Sequence, residues 1–439
     1  MATPVVTCFL RNDAEVLLFR RSEAVGSYRG LWGGVAGHAE GDPDAAARQE
    51  IREETGLDPE DLSVIRTGNP FEVSDEEGQW VVHLYLFDCP TRAVEPNWET
   101  ETYEWVPPTA ILRRETVTDL WESYDRVRPR VETVADDTDH GAAYLSVRAL
   151  EVLRDEAALA AIEGGTDGND SDGNGTDWSQ LTDLARGLAT ARPAMPAVAN
   201  RVDRAVHEAD ERTPAALEAA AQAGIERALR ADERAAASAA ARVGDRVATL
   251  SRSGTVRETL VRAEPEAVLV AESRPGREGV GVAEATAESL DATVALTTDA
   301  AFPYQLVEWG ADTLLVGADA VLPDGRVVNK AGTRGAALSA AREGIDVVVA
   351  TSVDKVRRDG AAALEPRDPG EVYGGRDGGG ADDGVPDIDV LNPTFDVTPS
   401  GVVTVVGEDG AFDPAAAAAT HRRQATWRTG DAENGTGGR

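Results

Sequence analysis

From residue 246 onward the chain repeats one pattern, a short apolar run followed by a helical stretch. The runs fall at 247–250, 267–271, 293–297, 313–316 and 347–350. Runs this short, rich in Val, Ala, Leu and Thr and without polar alternation, are strands covered on both faces. Strands that alternate with helices predict a parallel sheet wrapped by helices on both faces, a Rossmann-like arrangement. Ahead of it, helical periodicity dominates from 178 to about 243, and 141–150 is an amphipathic helix of the same kind.

The first hundred residues read differently. From 5 to 106 the pattern is strand-like, with runs such as Trp80-Val81-Val82-His83-Leu84-Tyr85-Leu86-Phe87 and one well-delimited helix at 43–55. A further helix is expected around 117–127, and 128–138 turns polar and acidic, which puts a domain boundary there. The expected organisation is therefore a mixed α/β sandwich at 1–135, a helical subdomain at 139–245, a Rossmann-like subdomain at 246–410, and a C-terminal tail at 411–439 that begins as a helix. The Gly/Asp/Asn-rich segment 163–177 is a flexible acidic loop that interrupts the helical bundle. It contains Asp170-x-Asp172-x-Asn174-Gly175, the start of a calcium loop, but the twelfth position is Leu181 where a bidentate Glu is needed, so a solvated loop is the reading.

Composition narrows the function. Against 43 basic residues stand 78 acidic ones, a net charge of −35, and such a surface repels nucleic-acid phosphates. Direct nucleic-acid binding is disfavoured. Disorder is not the explanation, since 42% of residues are hydrophobic and fall in periodic stretches. Only Lys330 and Lys355 are lysines; arginine fills every other strongly basic position. Acid excess with arginine for lysine suggests a halophile's cytoplasm, where molar salt cuts the Debye length to about 3 Å and carboxylate repulsion costs little. Two cysteines, Cys8 and Cys89, rule out a disulfide framework, and neither an export signal nor an apolar run long enough for a membrane span is seen.

Two regions carry chemistry. In the first, Asp42 is a natural N-cap, Pro43 suits the first helical position and Gly56 the end. Glu50, Glu53 and Glu54 then fall at i, i+3 and i+4 on one helical face, where their mutual repulsion calls for a divalent cation unless the helix is simply acidic and solvated. The stretch Gly33-Gly34-Val35-Ala36-Gly37-His38-Ala39-Glu40-Gly41-Asp42 and the helix through Thr55-Gly56-Leu57 resemble the Nudix box. The resemblance implies a hydrolase of a nucleoside-diphosphate derivative, with Glu50, Glu53 and Glu54 holding Mg2+ or Mn2+ and Glu53 and Glu54 serving catalysis. Two features depart from the family pattern. The loop counted from Gly34 is one residue longer, and Gln49 stands where an Arg is usual. The glutamate that ordinarily precedes the helix would be replaced by Glu40 or Asp42, and Glu101 or Glu104 are candidates for the base.

The second region is made of Glu272-Ser273-Arg274-Pro275, Thr298-Asp299-Ala300-Ala301, Val316-Gly317-Ala318-Asp319 through Asn329-Lys330-Ala331-Gly332-Thr333, and Asn392-Pro393-Thr394-Phe395-Asp396-Val397-Thr398-Pro399. In this order they resemble the translation initiation factor 2B alpha/beta/delta family, which includes ribose-1,5-bisphosphate isomerase and methylthioribose-1-phosphate isomerase. The resemblance spans about 139–410. Each motif is expected to follow a strand and so to gather at the carboxyl edge of the sheet. Arg274 and Lys330 would neutralise phosphate, Asn329 would hydrogen-bond to the sugar, and the helix opened by Gly332-Thr333 would favour an anion at its N-terminus.

Asp319 matches the family's catalytic acid. Ser251, in the loop after the first strand, occupies the slot of the isomerases' cysteine, which puts proton shuttling in doubt and leaves the residue a substrate-binding role. His140 stands where an Arg is usual. The resemblance implies a sugar phosphate or nucleotide as ligand, self-association into a homo-oligomer, and a possible translation-factor partner. Three functions follow: a Nudix-type hydrolase joined to a sugar-phosphate or nucleotide-binding domain, a ribose-1,5-bisphosphate isomerase, or a non-enzymatic regulatory protein of translation.

Overall fold

A computed structural model describes residues 2–39, 41–137, 139–166, 178–373 and 388–430. The chain forms two compact units. Unit 1 comprises Met1–Val134, Arg148–Thr182 and Glu211–Ile225; unit 2 comprises Ala135–Val147, Asp183–Asp210 and Glu226–Arg439. Asp170, Asp172, Asn174 and the rest of the calcium-like motif before Leu181 lie outside the described residues, apart from the helix that begins at Trp178. No described helix is long and apolar enough to cross a membrane.

Unit 1 is built on one mixed sheet of strands β1 (Thr3–Asn12), β2 (Glu15–Arg21), β3 (Trp32–Gly33), β4 (Val35–His38), β5 (Ser63–Asp75), β6 (Gly78–Asp88) and β7 (Thr100–Val106). The order is β3-β2-β1-β6-β5, with β4 on β1 and β7 on β2, and only β1 and β6 run parallel. Alternation along β1 sends Val6, Cys8 and Leu10 to one face and Phe9 to the other. Helix α1 (Pro43–Thr55) covers the first face through Ala47 and Ile51, and α2 (Leu120–Asp125) covers the second through Leu120 and Tyr124. A short helix, α3 (Val131–Asp136), forms in the segment expected to be an irregular boundary.

Helix α4 (Ala142–Thr166) brings charge into this core. Arg148, Glu151, Arg154 and Asp155 are all buried, with Arg148 Nε 3.0 Å from Glu151 Oε2 and Arg154 Nη2 2.8 Å from Asp155 Oδ1. Arg11 of β1 reaches Asp88 at 2.7 Å and Glu151 at 3.8 Å. Arg154 Nη1 also donates to the Ala14 carbonyl at 3.2 Å. Charges taken this far from water persist only when paired in this way.

Unit 2 draws on helices α5 (Trp178–Ala191), α6 (Pro196–Glu208) and α7 (Pro214–Ala240), then alternates: β8 (Arg246–Leu250), α8 (Gly254–Ala263), β9 (Ala267–Ala271), α9 (Glu278–Ser289), β10 (Thr293–Thr297), α10 (Phe302–Glu308), β11 (Thr313–Val316). After β12 (Ala320–Val321) and β13 (Val327–Lys330) come α11 (Thr333–Arg342), β14 (Asp346–Ala350), β15 (Phe395–Thr398), β16 (Thr404–Gly407), β17 (Gly410–Ala411), α12 (Pro414–Gln424) and α13 (Trp427–Gly430). The main sheet has the order β10-β9-β8-β11-β14-β16-β17, parallel except for β17, and apolar clusters pack on both faces. Because the order reverses between β8 and β11, the loops after those strands flank a switch point, the place where open α/β sheets bind ligands.

One element departs from expectation. β12, β13 and β15 form a separate antiparallel sheet, so Asn329 and Lys330 lie on a strand of that sheet and do not follow a strand of the main one. The reason is local: after Val321 the chain turns at 322–326, with Leu322 N donating to Arg326 O, and returns antiparallel.

Candidate functional site

Each unit carries one candidate. In unit 1, Asp42 accepts from Asp44 N to start α1, and Gly56, at φ 72°, ends it in the left-handed conformation that glycine tolerates. Of the three glutamates, Glu54 is buried, only 5% exposed, and its Oε2 accepts from Ala36 N of β4 at 3.3 Å. Glu50 lies against Gly37 of β4, where an added Cβ would sit 2.0 Å from the Glu50 Cδ. Burial and then the Glu50 charge push the Glu54 carboxyl up to about 8, while the Ala36 amide opposes the rise. Burial, Glu53 and Glu99 raise Glu50 as well, against the pull of His38. The structure thus brings Glu50 and Glu54 together, with Cys8 buried beside both and its thiol held protonated, first by burial and then by their charge.

Glu53 does not join them. It is exposed, and its Oε1 accepts from Gln49 Nε2 at 2.8 Å. Among the described residues no three His, Cys, Asp or Glu side chains make a ready cage for an ion. The donor type nevertheless fits a hard divalent cation: two crowded carboxyl groups, one half-buried and one buried, repel each other, and the opposing pulls of His38 on Glu50 and Arg21 on Glu54 leave both raised. Asp42 is spent on its cap, and Glu40 lies outside the described residues. Glu101 and Glu104 pair with Arg20 at 3.4 Å and Arg114 at 2.5 Å. A further carboxylate whose charge acts on both Glu50 and Glu54 is Glu99, half-buried just before β7, with Arg21 at 3.9 Å. Its signal in sequence was faint, one of several acids in 95–104.

In unit 2, Asp319 follows β11 and its amide donates to Val328 O of β13 at 3.0 Å. It is half-buried; burial raises its carboxyl, and Lys355 and then Lys330 pull it back, with Glu365 opposing them. Lys330 is buried and donates to Glu278 Oε1 at 2.7 Å, leaving the other Glu278 oxygen buried without a hydrogen-bond partner. Glu278 begins α9 close to β9 because Gly279 has no side chain: a Cβ there would meet the Ala271 carbonyl oxygen at 1.8 Å. Lys355 Nζ donates to the Ala318 carbonyl at 2.8 Å. Both lysines of the chain therefore act on one carboxyl group. Lys355 was absent from the sequence expectation, although its rarity was the signal.

Ser251 follows β8 in the left-handed region (φ 64°), its amide donating to Ser273 Oγ at 2.7 Å. Asp299 accepts from the amides of Ser273 and Arg274 at 2.8 and 2.5 Å, which holds the loop and leaves the Arg274 residue exposed. Asn329 is buried, and its amide donates to Thr333 Oγ1 at 3.0 Å. The N-terminus of α11 differs from expectation: Asp396 already accepts from the amides of Gly332 (2.8 Å) and Arg334 (3.0 Å), so a carboxylate of the chain occupies the anion position. His140 pairs with Asp137 at 2.8 Å and stacks on Tyr144.

The model of the initiation factor 2 subunit family matches residues 138–414, and that of the NUDIX domain matches residues 1–127. A ribose 1,5-bisphosphate isomerase of Haloterrigena turkmenica is 33% identical over 312 residues, 66% of this chain and 91% of the relative. A methylthioribose-1-phosphate isomerase of Stenotrophomonas maltophilia is 29% identical over 306 residues, 64% of this chain and 85% of the relative. The solved structure of a translation initiation factor eIF-2B of Pyrococcus horikoshii OT3 superposes with a TM-score of 0.51 at 24% identity, over 65% of this chain and 95% of that one, a likeness of fold.

Proposed function

Taking as premise that the chain belongs to the initiation factor 2 subunit family and carries a NUDIX domain ahead of that match, we propose that it is a two-site protein. Unit 1 is a metal-dependent hydrolase of a nucleoside-diphosphate derivative, and unit 2 binds a sugar phosphate or nucleotide around Asp319. The observation that carries the first half is the Glu50–Glu54 pair, two carboxyl groups of α1 packed against Ala36 and Gly37 of β4, where burial and their mutual repulsion favour a bound cation. Glu50 and Glu54 would hold Mg2+ or Mn2+, and Glu53 would join on leaving Gln49. The ion, when bound, supplies Lewis acidity to the pyrophosphate and lowers the pKa of the attacking water. The residues' own part is to place that charge beside Ala36 and Gly37 and, through Glu99 and Glu54, to offer a carboxylate for the water's proton.

The test is release of nucleoside monophosphate from a panel of nucleoside-diphosphate sugars and dinucleotides at molar KCl, with and without Mg2+, in the wild type and the Glu53→Gln and Glu54→Gln variants. Metal-dependent turnover that both variants lose supports the reading; turnover that survives Glu54→Gln sinks it.

A second reading, favoured by Asp319 between Lys355 and Lys330, is aldose–ketose isomerisation of ribose 1,5-bisphosphate, the substrate in the name of the Haloterrigena relative. Asp319, kept protonated more readily by burial, would move the proton, and the lysines would take the phosphates. Ser251 in place of a thiol opposes fast chemistry. The acid excess and the two buried free cysteines support a reading in which the protein works in a salt-rich cytoplasm and self-associates as its family does.

A further inference from the structure

Lys355 sits in the middle of a strap, residues 351–358, that is gripped on both sides by chain lying beyond the stretch matched by the family. The grip upstream is at Val353, whose carbonyl lies 3.1 Å from His421 Nε2 of α12, while its amide donates to Glu408 Oε2, inside the matched stretch, at 3.1 Å. Downstream, Arg422 of α12 donates to the Arg358 carbonyl at 2.6 Å. The Arg358 guanidinium donates to Asp203 Oδ2 of α6 at 2.6 Å, and Arg428 of α13 takes both oxygens of the same carboxylate at 2.6 and 2.7 Å. Asp203 is fully buried. Within the strap, Asn200 of α6 donates to the carbonyls of Asp354 and Val356, both at 2.8 Å, and Arg201 pairs with Asp354 at 2.9 Å.

We propose that α12 and α13 form a clamp that positions Lys355 against Asp319, with Arg428 as the positioning residue acting through Asp203 and Arg358. The physical argument is the economy of a buried carboxylate. Asp203 is stable in its site because two guanidinium groups from different segments share it, one on the strap and one on α13. With Arg428 gone, Arg358 alone must neutralise Asp203, α13 loses its hold, the strap keeps only the α12 bonds of His421 and Arg422, and the 353–358 turn gains freedom where Lys355 is rooted. Lys330 depends on Glu278 and β13, which the clamp does not touch. The functional half of the proposal rests on the sugar-phosphate reading of the site around Asp319; the mechanical half does not.

A chain with two lysines makes the test specific. Pulse acylation of the full-length protein at molar KCl, read by peptide mass spectrometry, reports the reactivity of Lys355 with Lys330 as internal reference. In Arg428→Ala the Lys355 rate should rise about tenfold or more, as expected for loss of one charge-assisted bond, while Lys330 keeps its rate and Arg428→Lys falls between. An unchanged Lys355 rate, or both lysines accelerating alike, overturns the clamp. Ribose 1,5-bisphosphate binding measured by calorimetry on the same proteins should weaken in Arg428→Ala by a similar factor and recover in part in Arg428→Lys. If the wild type fails to bind that probe, the ligand reading falls, and the ratio of lysine rates still decides the clamp.

Discussion

The carboxylate of Glu50 occupies the space that a side chain on Gly37 would need, 2.0 Å from an ideal Cβ to the Glu50 Cδ. The clash in a Gly37→Ala variant falls on the far end of a flexible side chain, so Glu50 swings out and the fold loses about 1 kcal/mol. Metal affinity should fall about 10- to 100-fold, the usual effect of disturbing a ligand's support. Mg2+ titration by calorimetry beside a thermal melt checks it; equal losses in both would make the position a packing site only.

Glu54 sets a pH dependence whose sign is fixed. Its carboxyl is raised from 4.5 to about 8 in the folded chain, so its contribution to stability is present at low pH and is lost as pH rises from 4.5 through 8. In Glu54→Gln that loss disappears. Without divalent ions the variant should melt about 3 °C or more above the wild type at pH 8 and close to it at pH 4.5. Added Mg2+ should stabilise the wild type alone, and a Mg2+ shift retained in the variant would take Glu54 out of the ion site.

Ser251 sits where the resemblance places a cysteine, at the switch point of the main sheet. If the site around Asp319 is otherwise fit for isomerisation, Ser251→Cys should raise conversion of ribose 1,5-bisphosphate by about 100-fold or more, the contribution of one well-placed acid–base group. Asp319→Asn in that background should abolish the gain. A coupled assay for the ketose product at molar KCl measures both, and no gain on introducing the thiol would leave unit 2 a binding module.

With 78 acidic residues against 43 basic ones, surface repulsion should dominate in dilute buffer. Lowering the salt from molar KCl to 0.1 M lengthens the Debye length from about 3 to about 10 Å. Circular dichroism should show the melting temperature falling steeply over that range. A flat dependence would detach the acidity from salt adaptation.

The regular parts of this molecule were legible because their physics is local. The bounds of α1 followed from Asp42, Pro43 and Gly56, and the apolar runs of β8, β9, β10, β11 and β14 marked buried parallel strands. Less legible were features that depend on competition between partners. Glu53 shares a helical face with Glu50 and Glu54 by spacing, yet the i,i+4 amide of Gln49 takes its carboxylate, and no pattern of acids alone reveals that. Lys355 and Glu99 reach their sites through tertiary contacts from distant segments. The burial of Arg154 and Asp155 was equally hidden, since a charged pair in an Ala/Leu-rich helix reads as a solvated stripe until its neighbours are known.

The bond from Asp396 to the start of α11 changes what a phosphate would meet in unit 2. A tethered carboxylate is an internal competitor, present at an effective concentration in the millimolar range or above whatever the ligand supply. A free anion gains little by contesting that helix end, so its affinity must come from Lys330, Lys355 and Arg274. Selectivity in unit 2 would then rest on the spacing of three side-chain cations rather than on a backbone cradle, and ligands would be sorted by the distance between their charges.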